Sequence, residues 1–179
     1  GWGEEELPAD LSVARSLIPA GTANLRDFSN IAPEIPEYIP QNCTGCMECV
    51  TECPDTAILG KVVGEDEFER RLQTIPEEDR EMFRQQWAKT KKYYEGGKKK
   101  GLPGGLFQII IDPSKCKGCA ECVTVCDDGA LKMVQKTDEV MLKVRKSHRY
   151  FKNIGPSDNR YISDNLLVDM MLKEETHIY

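Results

Sequence analysis

Two short cysteine runs constrain this chain more than any other feature. They span residues 43–53 and residues 116–126, and both have the spacing C-x-x-C-x-x-C-x-x-x-C. Together they contain all eight cysteines of the 179 residues. Cysteines spaced this tightly cannot all pair locally, and residues 1–4 lack the basic and apolar regions of a secretory signal. Thiolates that bind metal in a reducing cytoplasm therefore fit the pattern better than disulfides.

The spacing is that of ligands to [4Fe–4S] clusters. Each iron needs one outside ligand, soft thiolate suits it, and the fourth cysteine of each run serves the other cluster. The ligands predicted for cluster one are Cys43, Cys46, Cys49 and Cys126. Those predicted for cluster two are Cys116, Cys119, Cys122 and Cys53. Zinc is the less favoured alternative, because structural zinc prefers paired ligands with longer gaps.

The two runs form an internal repeat. Aligning residues 43–58 with residues 116–131 matches every cysteine and also matches Gly45 with Gly118. Glycine lets the loop approach a cluster closely and take positive φ, so that backbone N–H groups can point at sulfur. Since neither half contains all the ligands of its own cluster, the two halves are predicted to form one pseudo-two-fold module.

The runs differ at the residue that follows the fourth cysteine. Pro54, the usual residue, follows the first run, and Asp127 follows the second. An unscreened acidic group at this position is expected to lower the reduction potential of cluster one slightly. This asymmetry predicts that the two clusters are not equivalent.

A short strand is predicted before each run. Residues 35–40 predict an edge strand, where proline is tolerated, and residues 106–112 predict a strand rich in β-branched residues. A second apolar stretch follows each run, at residues 57–59 and 130–134. The pattern predicts an α+β fold of the bacterial 2[4Fe–4S] ferredoxin type, with a helical insertion at about residues 61–105.

The insertion is highly charged and has helical periodicity. A short first helix is predicted at residues 67–72. A second begins with Thr74 as its cap and Pro76 in its first turn, and it ends at Gly96 and Gly97. One face of this helix carries Phe83, Trp87, Thr90 and Tyr94. We interpret this face as a packing surface rather than a binding site.

The remaining segments are assigned as connections. Residues 1–38 predict an extended arm with a short helix after Asp10, residues 39–135 the cluster domain, and residues 136–179 a linker toward a following domain. The basic stretch at residues 136–158 is mixed in character, and a last helix is predicted from residue 166 to residue 174. Because the chain begins without Met and stops abruptly, we expect it to be a piece of a longer or processed protein.

Composition and charge exclude several classes of function. The formal net charge of −6 argues against nucleic-acid binding. No apolar run approaches the ~18 residues of a transmembrane helix. No residue set looks catalytic, and His148 and His177 are interpreted as surface residues. Residues 98–100, all lysine, are interpreted as a solvated loop, with docking of an acidic carrier protein as the alternative.

With these motifs in hand, the chain resembles the ferredoxin-like part of the 2-oxoacid:ferredoxin oxidoreductases, in particular the pyruvate:ferredoxin oxidoreductase type. Residues 19–22 and 31–38 look like the stretch that precedes the cluster domain in that family. The long insertion between the cysteine runs is typical of the family as well. Residues 154–172 look like the passage toward its thiamine-diphosphate domain.

The resemblance implies a role in the reversible oxidative decarboxylation of a 2-oxoacid to an acyl-coenzyme A. In that family thiamine diphosphate with magnesium performs the carbon chemistry, and two [4Fe–4S] clusters relay single electrons to an external ferredoxin or flavodoxin. No thiamine, substrate or coenzyme A residues are recognisable here. The chain is therefore expected to be the electron-exit segment of a cytoplasmic, oligomeric enzyme, with the other domains as partners.

Two other interpretations stay open at this point. The chain can be an iron–sulfur subunit of another redox complex, of the hydrogenase or formate dehydrogenase type. It can also be a metal-stabilised interaction module without a redox role.

Overall fold

The computed structural model describes residues 27–163 and Leu172. Within them, four strands form two antiparallel pairs. Strand β1 (Glu34–Tyr38) pairs with β4 (Leu131–Gln135), and β2 (Ile58–Gly64) pairs with β3 (Gly105–Ile111). Each pair joins a strand that leads into one cysteine run to the strand that leaves the other run. This exchange brings the two halves of the repeat into one module.

The helices are short, with one exception. In chain order they are α1 (Glu48–Thr51), α2 (Glu65–Leu72), α3 (Glu77–Arg84), α4 (Gly96–Lys99), α5 (Glu121–Thr124) and α6 (Asp138–Asn153). The predicted α+β class is confirmed, and the two predicted strands each begin one residue earlier than expected. In the described part of the chain no helix combines the length and apolarity needed to cross a membrane.

Strand β3 is buried along its whole length because it separates two hydrophobic clusters. Phe107, Ile109 and Ile111 face the first cluster, which packs against the cysteine runs. Leu106 and Ile110 face the second cluster, which holds the insertion. The alternation follows from the two-residue period of a strand. It places helices α2 and α3 of the insertion and the cysteine runs on opposite faces of the same strand.

The single helix predicted from Thr74 to Gly96 is wrong. Helix α3 ends at Arg84, and the extended chain beyond it lets Ala88 exchange two backbone hydrogen bonds with Phe107, of 2.7 and 3.0 Å. A π-helical turn at Lys91–Glu95 then leads into α4. The side chains predicted to share one face therefore do not lie on a single helix, because backbone pairing with β3 overrides the local helical periodicity.

Two other features of the insertion also differ from expectation. Residues 61–64 belong to β2, so the helical part starts at Glu65. Gly97 lies inside α4 rather than ending a helix. Packing requires glycine there, since a Cβ would lie 2.9 Å from a ring carbon of Tyr161. Phe83 and Trp87 are buried in the second cluster, where their rings lie 5.9 Å apart, which confirms them as packing residues.

Helix α6 is the longest helix in the described residues, and sequence analysis predicts no helix there. The Thr137 hydroxyl accepts a hydrogen bond from the Val140 amide, which caps its N-terminus. Buried Lys61 donates to the carbonyls of Phe151 and Gly155, at 2.8 and 2.6 Å, which ties the C-terminal end of α6 to β2. His148, predicted at the surface, is largely buried, with Nε2 3.7 Å from an Asp112 carboxylate oxygen.

Several predictions fall on other residues. The helix after Asp10, the helix at residues 166–174 and His177 lie outside the described residues, apart from Leu172. Leu172 is buried in the first hydrophobic cluster. The bounds of the arm, the cluster domain and the linker stay predictions.

Candidate iron–sulfur centres

Four cysteines line one cavity, here called cavity one. They are Cys43, Cys46, Cys49 and Cys126. Phe107, Ile109 and Leu131 form an apolar part of the wall, and all three belong to the first hydrophobic cluster. The structure therefore gathers around one space the four cysteines that the spacing predicts for cluster one.

The other four cysteines line a second cavity, here called cavity two. They are Cys53, Cys116, Cys119 and Cys122. Its apolar wall includes Pro36, Ala57 and Ile58. In the part of the chain that the structure describes, no three Cys, His, Asp or Glu side chains converge closely enough to hold a single metal ion. The four thiols of each set line a cavity and do not converge on the position of a single ion.

Left-handed backbone turns wrap each loop around its cavity. Gly45 and Gly118 have φ of 78° and 67°, and Met47 and Ala120, two positions further on, have φ of 73° and 65°. The last two immediately precede α1 and α5. A non-glycine residue in this conformation costs about 1–2 kcal/mol. The same strain occurs at equivalent positions of both halves, which ties it to the shape of the cavity.

Backbone N–H groups point at sulfur in both halves. The amides of Ala57 and Ala130 donate to the Sγ atoms of Cys53 and Cys126, each at 3.2 Å. Backbone hydrogen bonds at the two loop glycines also act on the thiols of Cys43 and Cys116 and lower their pKa. Such donors stabilise negative charge on sulfur, which suits thiolate ligands.

Burial opposes these donors and dominates. It raises the pKa of Cys43, Cys49 and Cys116 and raises that of Cys122 to about 12, and neighbouring thiols add to the effect. Four thiolates cannot share such a space without a cation to balance their charge. The donor set and its surroundings therefore fit an iron–sulfur cluster, whose binding would release the thiol protons.

Two polar bonds join the halves across the repeat. Thr44 Oγ1 donates to Asp128 Oδ2 at 2.8 Å, and Lys117 Nζ donates to Asp55 Oδ1 at 2.5 Å. Thr44 and Lys117 occupy equivalent positions, as do Asp55 and Asp128. Sequence analysis assigns no role to these residues, although the repeat aligns the two aspartates. Each bond joins the start of one run to the residues after the other.

Two more residues near the thiols carry no sequence prediction. The Tyr38 hydroxyl is buried and has no hydrogen-bond partner of standard geometry among the described residues. Burial raises the pKa of the Cys43 thiol, and the nearby Tyr38 hydroxyl partly opposes that rise. The Asp112 carboxylate accepts hydrogen bonds from the Ser114 amide and hydroxyl, which shapes the turn that leads into Cys116. Asp127 is exposed, and its expected effect on potential stays a prediction.

Comparison with known proteins agrees with this geometry. A family model described as a 4Fe-4S dicluster domain matches residues 42–131, which is half of the chain. A pyruvate-flavodoxin oxidoreductase of Nostoc sp. is 27% identical over 97% of the chain and 14% of its own length. A mitochondrial pyruvate dehydrogenase (NADP+) of Euglena gracilis is 33% identical over 88% of the chain and 8% of its own length.

A third relative names a ferredoxin. The pyruvate:ferredoxin oxidoreductase of Moorella thermoacetica is 27% identical over 68% of the chain and 9% of its own length. The chain thus spans at most about a seventh of these three proteins, 14% in the longest match. It belongs to the 4Fe-4S dicluster domain family, binds two [4Fe–4S] clusters, and corresponds to one segment of the pyruvate oxidoreductases, as its resemblance to their wider family predicts.

Proposed function

We propose that this chain is the electron-relay segment of a 2-oxoacid oxidoreductase. It passes single electrons from a thiamine-diphosphate site elsewhere in the enzyme to an external ferredoxin or flavodoxin. The observation that carries the proposal is the pair of cavities, each surrounded by four cysteines from both halves of the repeat. The relatives' names support the choice of enzyme.

The proposed ligands of cluster one are Cys43, Cys46, Cys49 and Cys126. Those of cluster two are Cys116, Cys119, Cys122 and Cys53. When bound, each cluster supplies a centre that takes up and releases one electron. The chain's own residues hold the two centres in place, surround them with apolar walls, and direct N–H groups at the sulfur of Cys53 and Cys126.

The two cavities lie close enough for their thiols to interact. Burial and the thiols of Cys43 and Cys46 raise the pKa of Cys49. Cys122, which belongs to the other set, raises it further. Helices α1 and α5, which carry these two cysteines, pack against one another. Their closeness supports electron passage from one centre to the other without an intermediate carrier.

The rest of the enzyme supplies the carbon chemistry in this proposal. Thiamine diphosphate, magnesium and coenzyme A bind to other domains or subunits, which are the first partners of this chain in a cytoplasmic oligomer. The external ferredoxin or flavodoxin is the second partner. The relatives' names support the ferredoxin or flavodoxin partner. Thiamine diphosphate, magnesium, coenzyme A and the oligomer are what the resemblance to the 2-oxoacid oxidoreductases implies.

Anaerobic reconstitution of the chain tests the cluster part of the proposal. We expect ~8 iron and ~8 sulfide per chain and an electron paramagnetic resonance (EPR) signal of reduced clusters after dithionite. Bound zinc, iron without sulfide, or no reducible signal would overturn it. Freeze-quenching the full enzyme after adding pyruvate and coenzyme A tests the enzyme part. Reduction of both clusters is expected, whereas reduction only by hydrogen or formate would favour another redox complex.

A further inference from the structure

Lysine is concentrated in one segment of the insertion. Residues 89–100 contain six lysines and a single acid, Glu95, in a chain whose net charge is −6. All six lysines are exposed. They are Lys89, Lys91, Lys92, Lys98, Lys99 and Lys100. We call this group the lysine surface. It is positively charged, although the chain as a whole is negatively charged.

Aromatic rings hold part of this surface in place. The ammonium groups of Lys89 and Lys98 lie 4.9 and 4.2 Å from the ring centre of Tyr94, and that of Lys92 lies 4.7 Å from the ring centre of Tyr93. Glu65 lies 3.9 Å from both Lys89 and Lys98, so one carboxylate faces two cations. The aromatic contacts order the lysine heads without cancelling their charge.

The lysine surface borders cavity one. The Tyr93 ring stacks on Phe107, with ring centres 5.2 Å apart, and Phe107 lines that cavity. A Cβ at Gly45 would lie 3.0 Å from the Tyr93 ring and 3.6 Å from Thr90. The π-helical turn at Lys91–Glu95 therefore rests directly on the loop between Cys43 and Cys46.

Charge distinguishes the two cavities, whereas exposure does not. Cys46 and Cys119, at equivalent positions of the two runs, are both exposed. Asp128 lines cavity one, whereas Asp55, Glu121 and Lys117 line cavity two, where Lys117 is paired with Asp55. The glycine loop of cavity two lies against residues that precede β1, since a Cβ at Gly118 would meet the Cβ of Ala32 at 2.5 Å. A dense positive surface is found beside cavity one.

We propose that the lysine surface docks an acidic electron-carrier protein, which makes cluster one the centre from which electrons leave. The inference rests on the proposed function and deepens it. Lysines around a redox centre attract an oppositely charged carrier over a distance of about 10 Å at moderate salt, and they orient it toward that centre. Such complexes form fast and weaken as ionic strength rises.

A triple charge reversal on the chain with both clusters bound tests the proposal. The variant combines Lys91→Glu, Lys92→Glu and Lys99→Glu, and the probe is an oxidised acidic ferredoxin of the [2Fe–2S] type. We expect the second-order rate of its reduction to fall by ~10-fold or more at low ionic strength. Its salt dependence should also flatten. Calorimetric titration at the same ionic strength should show a matching loss of binding of the carrier.

A matched control reverses three basic residues beside the second hydrophobic cluster: Arg70, Arg149 and Lys152. Both variants change the net charge equally, so a general charge effect lowers both rates alike. Equal losses in the two variants, or no loss in the lysine-surface variant, would overturn the docking proposal. Cluster content and reduction by dithionite are measured in every variant. Failure of those measurements in the unmodified chain would instead count against the proposed relay.

Discussion

Replacing Tyr38 with Phe is expected to lower the reduction potential of one cluster only. Burial raises the pKa of the Cys43 thiol, and the Tyr38 hydroxyl is the leading influence that lowers it. The hydroxyl oxygen is itself buried and makes no hydrogen bond of standard geometry with the described residues, so we expect it to donate to the Cys43 sulfur once a cluster is bound. A hydroxyl that donates toward a ligand sulfur stabilises the more negative, reduced state, and it therefore raises the potential. Tyr38→Phe removes this donor and leaves the ring in place.

The size of the effect follows from the strength of one hydrogen bond. A net hydrogen bond in a protein contributes about 1 kcal/mol. For a one-electron couple, 59 mV corresponds to a tenfold change in equilibrium constant, which is about 1.4 kcal/mol. Full loss of the bond in the reduced state alone thus corresponds to a fall of about 40 mV. A bond that acts on both oxidation states gives a smaller fall, because only the difference counts.

A redox titration monitored by EPR measures the shift. The matched control is Tyr161→Phe, since its hydroxyl donates to the Pro103 carbonyl at 2.5 Å and belongs to neither cavity. We expect one cluster to shift downward in Tyr38→Phe and neither to shift in the control. An unchanged potential, an upward shift, or equal shifts of both clusters would refute the reasoning.

Two further substitutions test the frame around the cavities. Lys61→Met removes two charge-assisted hydrogen bonds at the C-terminal end of α6. It should lower the free energy of unfolding in urea by about 1–3 kcal/mol, and an unchanged midpoint would contradict that role. Gly118→Ala should reduce the sulfide content of the chain, because its Cβ would meet Ala32 at 2.5 Å. Gly101→Ala has a similar positive φ with nothing within 4 Å, so its sulfide content should stay normal.

The centre of the molecule could be predicted because it repeats. The spacing of each run and the apolar stretches around it are local signals, and the alignment of the two halves reinforces them. β3 has the β-branched composition expected of a buried strand, and it is observed at Gly105–Ile111. The set of thiols around each cavity also matches the set that the spacing predicts.

The insertion was harder to predict because its conformation depends on distant partners. Phe83 and Trp87 have helical spacing, but the chain leaves the helix after Arg84, and Ala88 forms backbone hydrogen bonds with Phe107 instead. The side-chain hydrogen bonds that join the two halves cannot be predicted from local patterns either, because their partners are far apart in sequence. Thr44 and Asp128, for example, are 84 residues apart in sequence. The start of helix α6 has a recognisable capping signal, which is Thr137 followed by two acidic residues. The many basic residues of the helix made its apolar spacing hard to recognise.

The exchange of the fourth cysteine is the central claim, and paired alanine substitutions test it most directly. The measurement is the number of intact [4Fe–4S] clusters per chain, from iron, sulfide and EPR. If Cys46 and Cys126 serve the same cluster, the double variant Cys46→Ala/Cys126→Ala keeps one intact cluster, with ~4 iron per chain. The double variant Cys46→Ala/Cys53→Ala then damages both. The reverse result, with one cluster kept only in Cys46→Ala/Cys53→Ala, would show that each run binds its own cluster and would contradict the account.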